Sequence, residues 1–356
     1  MPEIVVPGES MIFSEPPISA ESPISRGDDL ESKKTVNGLV IRGSRNLFTV
    51  RICDSGEILE CRIKGKILKN TEAYYNPLAP GDVVEVEGNL ILGLAKRRNL
   101  FVRFNQKGQL PQILASNVDL VLCVTSFASP PFRPRFIDRV LLQADEAGIP
   151  AAIVCNKCDL VHNSDPDEVL DIEERLSDFQ RIGFPVLRLS ARTKEGLDEL
   201  RNFIAGKFSV LIGQSGVGKS SLIRALAPDL ELKTGAVNEK YDRGNHTTTQ
   251  PVLLDVPDAD GNPCGSRIID TPGIRRFALA GIRAEDLILY MREFAPLAGK
   301  CSYGLSCSHK TEPGCKIMEA VTAGVIHEDR YISYLRIREE LEGEDPAGRE
   351  SAGKRS

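Results

Sequence analysis

The chain has 356 residues, enough for two or three domains of roughly 100–200 residues each, with 41% hydrophobic and 27% charged residues as in soluble globular proteins. No run of about 20 apolar residues offers a membrane span, and the N-terminal stretch has no basic, then apolar, secretory leader; a cytoplasmic location with no membrane partner is expected. The net charge of −5 does not advertise nucleic-acid binding, but residues 1–34 carry seven acids and three bases, whereas residues 35–115 carry twelve bases and seven acids. An acidic tail therefore masks a basic domain.

Residues 1–34, rich in Pro, Ser and Glu without periodicity, are expected to be a disordered acidic extension. Residues 35–112 contain five short, partly alternating apolar runs, beginning at Thr35, Leu47, Glu57, Asp82 and Leu90. Turn residues such as Gly43-Ser44 and Pro80-Gly-Asp82 separate them. Five strands in this length predict a small OB-type β-barrel, an architecture that often binds RNA or DNA. Lys64, Lys66 and Lys69 form one basic cluster, and Lys96, Arg97 and Arg98 a second. Each serves either as phosphate contacts or as solvated loop charge. Phe48, Phe101 and Phe104 read as core. Residues 106–117, with Gly108 and Pro111, read as a linker.

From residue 113 to 281 the pattern is strand, helix, strand, the signature of an α/β domain. Val118 to Thr125 is a buried strand, and Phe136 to Ala147 a helix with Ile137, Val140, Leu141 and Ala144 on one face. The strand from Pro150 ends in Asn156-Lys157-Cys158-Asp159, and that from Phe184 ends in Ser190-Ala191. Helices are expected at Asp165 to Phe179 and Gly196 to Ala205. The apolar run Val210 to Ile212 then leads into Gly213, Gln214, Ser215, Gly216, Val217, Gly218, Lys219, Ser220 and Ser221. This is the phosphate-loop spacing G-x-x-x-x-G-K-S, between a strand and a helix as that motif requires. Its glycines let amides curl around phosphate oxygens at a helix N-terminus, Lys219 would reach the β- and γ-phosphates, and Ser220 would ligate Mg²⁺.

The loop alone says nucleoside triphosphate, which leaves an ATP-using enzyme open. Asp159 argues for guanine, because a carboxylate can accept from N1–H and N2–H₂ together and adenine lacks that donor pair. A backbone N–H at Ser190-Ala191 would meet guanine O6. Downstream, Asp270-Thr-Pro-Gly273 ends another strand; Asp270 suits the outer shell of Mg²⁺ and the Gly273 amide the γ-phosphate. These four motifs resemble those of GTPases. The polar stretch from Lys233 to Gln250 is the switch I candidate. Thr247, Thr248 and Thr249 are equivalent at this level as ligands of Mg²⁺ and γ-phosphate. Thr248 stands for them in the candidate catalytic set, beside His246 and Gly273. His246 is either a water-positioning group or a polar loop residue. Ile274 occupies the place where many GTPases orient water with glutamine, so unaided hydrolysis is expected to be slow.

The motif order is inverted. GTPases usually run phosphate loop, switch I, DxxG, NKxD, SA; here NKxD and SA precede the phosphate loop. That is a circular permutation, tolerated when chain ends lie close together at a surface.

Beyond it, Ala284 to Phe294 predicts a helix, and Cys301, Cys307, His309 and Cys315 can close one tetrahedral, structural Zn²⁺ site. Helices from Cys315 to Ala323 and Glu328 to Glu342 border it, so that residues 282–342 form a zinc-binding helical domain and residues 343–356 a disordered tail.

A permuted GTPase between an OB-like barrel and a Cys-Cys-His-Cys site resembles the RsgA (YjeQ) family of small-subunit biogenesis GTPases. The likeness spans about residues 35–340, including Ala115-Ser-Asn-Val-Asp119, the Gly244-to-Thr249 loop and Glu312-Pro-Gly-Cys315. It implies a monomeric, late assembly factor that binds the small (30S) subunit through ribosomal RNA. It also implies slow GTP hydrolysis alone, stimulation by the mature subunit and release on hydrolysis, with zinc on the four ligands named. An RNA-binding checkpoint in which GTP only sets affinity is the alternative, favoured by Ile274. The five-residue gap between the first two cysteines, the long Asp255-to-Arg267 hairpin and the acidic extension depart from the family pattern.

Overall fold

The computed structural model describes residues 35–44, 46–65, 73–228 and 250–344. The acidic extension, Lys66, Lys69, His246 and Thr247 to Thr249 lie outside the described residues.

The five expected strands form: β1 (Val36–Ser44), β2 (Leu47–Ile52), β3 (Ile58–Ile63), β4 (Val83–Glu87) and β5 (Leu90–Leu94). β1 pairs with both β2 and β4, β3 runs parallel to β5, and β5 returns to β4. The order 1-2-3-5-4-1 closes a barrel, which removes the exposed strand edges an open sheet would leave. Alternation aims Val40, Phe48, Val50, Cys61, Val84, Val86 and Ile91 into one core.

Only part of the second basic cluster is a free surface. Arg97 donates through Nε and Nη2 to fully buried Asp82 at 2.8 and 2.7 Å, and to the Pro77 carbonyl at 2.8 Å. It pins the loop before β4, because an unpaired buried carboxylate would be costly. Arg98 pairs with Asp119 at 2.6 Å. Lys64 and Lys96 are exposed.

The expected linker is a hairpin of β6 (Leu100–Asn105) and β7 (Leu110–Ser116). Its polar centre misleads: Asn105 Oδ1 accepts from the Lys107 and Gly108 amides, building a turn. Pro111 is tolerated because a two-stranded sheet has only edges. Phe101 is buried against Phe277, with ring centroids 5.8 Å apart, while Phe104 is half-buried.

The α/β sheet contains β8 (Leu120–Ser126), β9 (Ala151–Asn156), β10 (Val186–Arg188), β11 (Phe208–Gly213), β12 (Val252–Pro257) and β13 (Pro263–Asp270). Its order is β10-β9-β8-β11-β13-β12, parallel except for β12. The phosphate-loop strand β11 thus sits between β8 and the later strand β13. α1 (Pro134–Glu146), α2 (Pro166–Arg181), α3 (Leu197–Ile204) and α4 (Lys219–Leu226) provide the helices. Barrel and sheet are continuous, since β1 pairs with β12 at Arg42 and Val252, beside an Arg51–Asp255 ion pair at 2.7 Å.

The helix expected from Ala284 to Phe294 does not form. The segment makes short 3₁₀ turns, Leu287–Tyr290 and Ala295–Leu297. Leu287, Ile288, Met291 and Phe294 are buried and Leu289 is exposed, but most backbone bonds close three residues apart, as from Phe294 to Met291. Pro296 and the pull of Asp145 on Arg292, 2.8 Å away, favour the irregular path. α5 (Lys316–Thr322) and α6 (Glu328–Glu344) follow, and α6 runs two residues into the expected tail. It docks on α1 by charge: Arg330, 3% exposed, meets Asp138 at 2.8 Å and Glu293 at 2.6 Å.

Candidate nucleotide site and metal centre

The nucleotide site is built at the C-terminal ends of the parallel strands, where open α/β sheets place ligands. β11 ends at Gly213 and α4 begins at Lys219, with Gly216 at φ 85° and Gly218 at φ 96° between them. Only glycine adopts such angles cheaply. A Cβ on Gly218 would also lie 2.3 Å from Asn156 Nδ2, so the base loop can approach only because that atom is missing.

Asn156 joins three loops. Its Nδ2 donates to the Val217 carbonyl at 2.9 Å, and its Oδ1 accepts from the amides of Lys157 (2.8 Å) and Ala191 (3.0 Å). Lys157, at φ 66°, extends its Nζ to the carbonyls of Ser129 and Gly216. Burial lowers its pKa. The loops carrying Asp159 and Lys219 therefore touch, although they are far apart and inverted in sequence. Asp159 is held by Ser190 Oγ, which donates to Oδ1 at 2.6 Å, and by Arg192, 3.5 Å from Oδ2. Ser190 Oγ also accepts from the amides of Arg192 and Thr193. Of the Ser190-Ala191 amides, one of which is expected to meet guanine O6, that of Ser190 donates to the Glu195 carbonyl and that of Ala191 to Asn156, bracing the loop. Cys158 contributes its amide, bonded to the Leu189 carbonyl.

Lys219 is buried at 7% exposure, and its Nζ donates to the carbonyls of Gly213 (2.9 Å) and Gln214 (3.1 Å). Burial pulls its pKa down to about 8, against the opposing pull of Asp270. Polyanionic phosphate beside it would favour the charged form. Ser220 is half-buried in the first turn of α4, while Ser215 and Ser221 are exposed. From β13, buried Asp270 leads to Thr271, whose hydroxyl donates to the Leu211 carbonyl at 2.5 Å. The Ile274 amide bonds the Gly213 carbonyl at 3.1 Å, and the Ile274 side chain is buried. A Cβ on Gly273 would fall 2.7–2.9 Å from Ser215 atoms, so this turn lies against the phosphate loop.

Cys301, Cys307, His309 and Cys315 converge as well. Their ligand atoms lie within 4.8 Å of one another, and all four residues are buried. His309 Nδ1 is 3.5 Å from the sulfurs of both Cys301 and Cys315. Burial lowers the His309 pKa and pushes the Cys307 thiol up to about 12. A neutral imidazole beside three thiols is the donor set of a structural zinc site.

The family model described as RsgA GTPase matches residues 94–280. The chain belongs to the RsgA GTPase family. It is 36% identical over 313 residues to the small ribosomal subunit biogenesis GTPase RsgA of Bacteroides fragilis, spanning 86% of this chain and 97% of that one. The similarly named protein of Chlorobaculum parvum is 36% identical over 324 residues, spanning 87% and 99%. YjeQ from Thermotoga maritima superposes with a TM-score of 0.66 at 30% identity, covering 88% of this chain and 100% of that one. YloQ, a circularly permuted GTPase, shares the fold with a TM-score of 0.61 at 24% identity, covering 90% and 99%.

Several supports of this RsgA-family site carry no motif. Glu312 accepts the amides of Ser308, Lys310 and Thr311 and so shapes the loop between Cys307 and Cys315. Bonds from Ser308 foremost hold its carboxyl down to about 2. The Lys316 amide donates to Cys301 Sγ at 3.3 Å, and Tyr331 donates to the His309 carbonyl at 2.6 Å. Spacing from Glu312 to Cys315 is the one cue a sequence offers. Arg192 and Ser129 at the base loop offer none.

Proposed function

We propose that this chain binds GTP with Mg²⁺ in the crevice between Asp159 and Lys219 and hydrolyses it during late maturation of the small ribosomal subunit. Ribosomal RNA and the 30S particle are its macromolecular partners, and the cytoplasm its location. The relatives named as small ribosomal subunit biogenesis GTPases support the setting. The single observation that carries the chemistry is the Asn156 tie, which brings base-reading and phosphate-binding loops to one crevice.

Asp159 selects guanine, the amides from Ser215 to Lys219 cradle the phosphates, and the Lys219 ammonium neutralises their charge. Mg²⁺, held by Ser220 and a switch I threonine such as Thr248 with Asp270 behind, would polarise the β- and γ-oxygens. Water attacks the γ-phosphorus as the bond to the β–γ bridging oxygen breaks, giving GDP and phosphate. Gly273 reads the γ-phosphate, and His246 is the candidate to orient water. Zinc on Cys301, Cys307, His309 and Cys315 staples residues 282–342 beside the switch turn. The β1–β5 barrel, within residues 35–112, is the RNA-binding part.

Buried Ile274 cannot orient water, which favours a second reading as a GTP-regulated RNA-binding checkpoint with little chemistry. Turnover of GTP with and without purified small subunits separates the two. Stimulation of roughly tenfold or more is expected of a ribosome-completed site. Unchanged turnover, with equal release under GTP and a non-hydrolysable analogue, would favour the checkpoint.

A further inference from the structure

We propose that an arginine-lined pocket between α1, the phosphate loop and the segment after Gly273 binds the phosphate backbone of RNA. This rests on the reading that ribosomal RNA is the partner, and names the surface that meets it.

The pocket encloses about 450 Å³. Arg133, Arg135 and Arg139 line it from the start of α1, and Arg275 and Arg276 from the segment that follows the γ-phosphate turn. Arg139 and Arg276 already share Glu340 of α6, at 2.6 and 3.0 Å. Arg133, Arg135 and Arg275 are exposed, and among the described residues their guanidinium groups make no ion pair or hydrogen bond. Asp329 is the one carboxylate on the wall, so positive charge prevails. The thirteen-residue helix α1 starts here without a side-chain cap, adding the positive end of its dipole.

The chemistry is that of phosphate recognition. Every cation in the lining is an arginine, whose planar fork grips phosphate oxygens in pairs. The arginines come from two separate elements around a concave wall, as suits a chain of phosphates. Phe132, half-buried against the core, presents the rest of its ring on the same wall, where a base can meet it. The barrel's second cluster keeps less free charge, because Asp82 consumes Arg97 and Asp119 pairs with exposed Arg98, leaving Lys96. The pocket also touches both halves of the nucleotide machinery, through Gln214 of the phosphate loop and through Arg275, two residues past Gly273.

The test uses the full-length protein, a labelled RNA hairpin and purified small subunits, titrated over a salt series. The variants are Arg133→Gln/Arg135→Gln/Arg275→Gln together and Arg135→Gln alone, with GDP affinity as the check that each folds. Wild type should bind both probes, and the triple variant should bind roughly tenfold or more weakly. Its log affinity against log salt should flatten by about 0.7–0.9 per lost contact, and Arg135→Gln alone should show about one such step. Equal affinity and slope in folded variants would overturn the pocket while leaving the ribosomal reading standing. Failure of wild type to bind either probe would overturn both. Binding of polyglutamate as tight as RNA would make this a site for acidic protein and overturn the proposal.

Discussion

Asn156 Nδ2 donates to the Val217 carbonyl across 61 positions of sequence, at 2.9 Å, while its Oδ1 receives the Ala191 amide. With Lys157 Nζ, which donates to the Gly216 carbonyl at 2.7 Å, the Asn156 side chain ties the base loop to the phosphate loop. Asn156→Ala strands buried polar groups on both loops, a cost of about 2 kcal/mol, or roughly thirtyfold in GDP affinity. Fluorescent-GDP titration measures it, and wild-type affinity in the variant would refute the bracing role.

The Lys219 pKa is about 8 in the folded protein against 10.5 for a free lysine. Between those values the unfolded chain binds more protons, so the nucleotide-free protein gains stability as pH rises. Nucleotide works in the opposite sense, since phosphate prefers the ammonium. GDP affinity should be flat below about pH 8 and fall towards tenfold per unit above it. Calorimetry in buffers of differing ionisation enthalpy should show proton uptake on binding above that point.

Gly273→Ala places a methyl within 2.9 Å of Ser215. The turn must retreat from the phosphate loop, so the preference for GTP analogue over GDP should shrink several-fold. GDP affinity should change less, because GDP has no γ-phosphate. Parallel titrations of the two nucleotides read out the ratio.

Metal analysis of the purified protein should find one zinc per chain. Cys301→Ser removes the sulfur that faces His309, Cys315 and the Lys316 amide, and zinc content should fall below half. Chelation of wild type should lower Tm in the same direction. Full stability after zinc loss would show that the cluster does not staple the domain.

Arg330→Met leaves Asp138 and Glu293 buried without their main partner, and about 3–5 kcal/mol of stability should be lost. Urea denaturation would show it. Arg330→Met combined with Asp138→Asn should recover part of the loss, because one stranded charge is removed.

The phosphate loop, the NKxD and DxxG turns, the barrel strands and the cluster of three cysteines and a histidine were all legible along the chain. Each depends on local spacing: glycines where amides must curl, alternation where one face is buried, thiols close enough to share an ion. The hairpin of β6 and β7 escaped notice because its turn is polar and its apolar residues are split by Pro111. The Ala284 segment showed helical spacing yet folded as 3₁₀ turns, since burial of its apolar side chains did not require helical hydrogen bonds.

Arg97 and Arg275 mark the division most sharply. In sequence both are bases in short basic runs. Tertiary structure gave Arg97 a buried carboxylate fifteen residues away, and left Arg275 exposed beside α1. The sequence alone determined which chemistry the chain can perform, because motif residues act at short range. Only the fold decided which charges are spent on holding the structure and which face a partner, because that depends on groups brought together from distant parts of the chain.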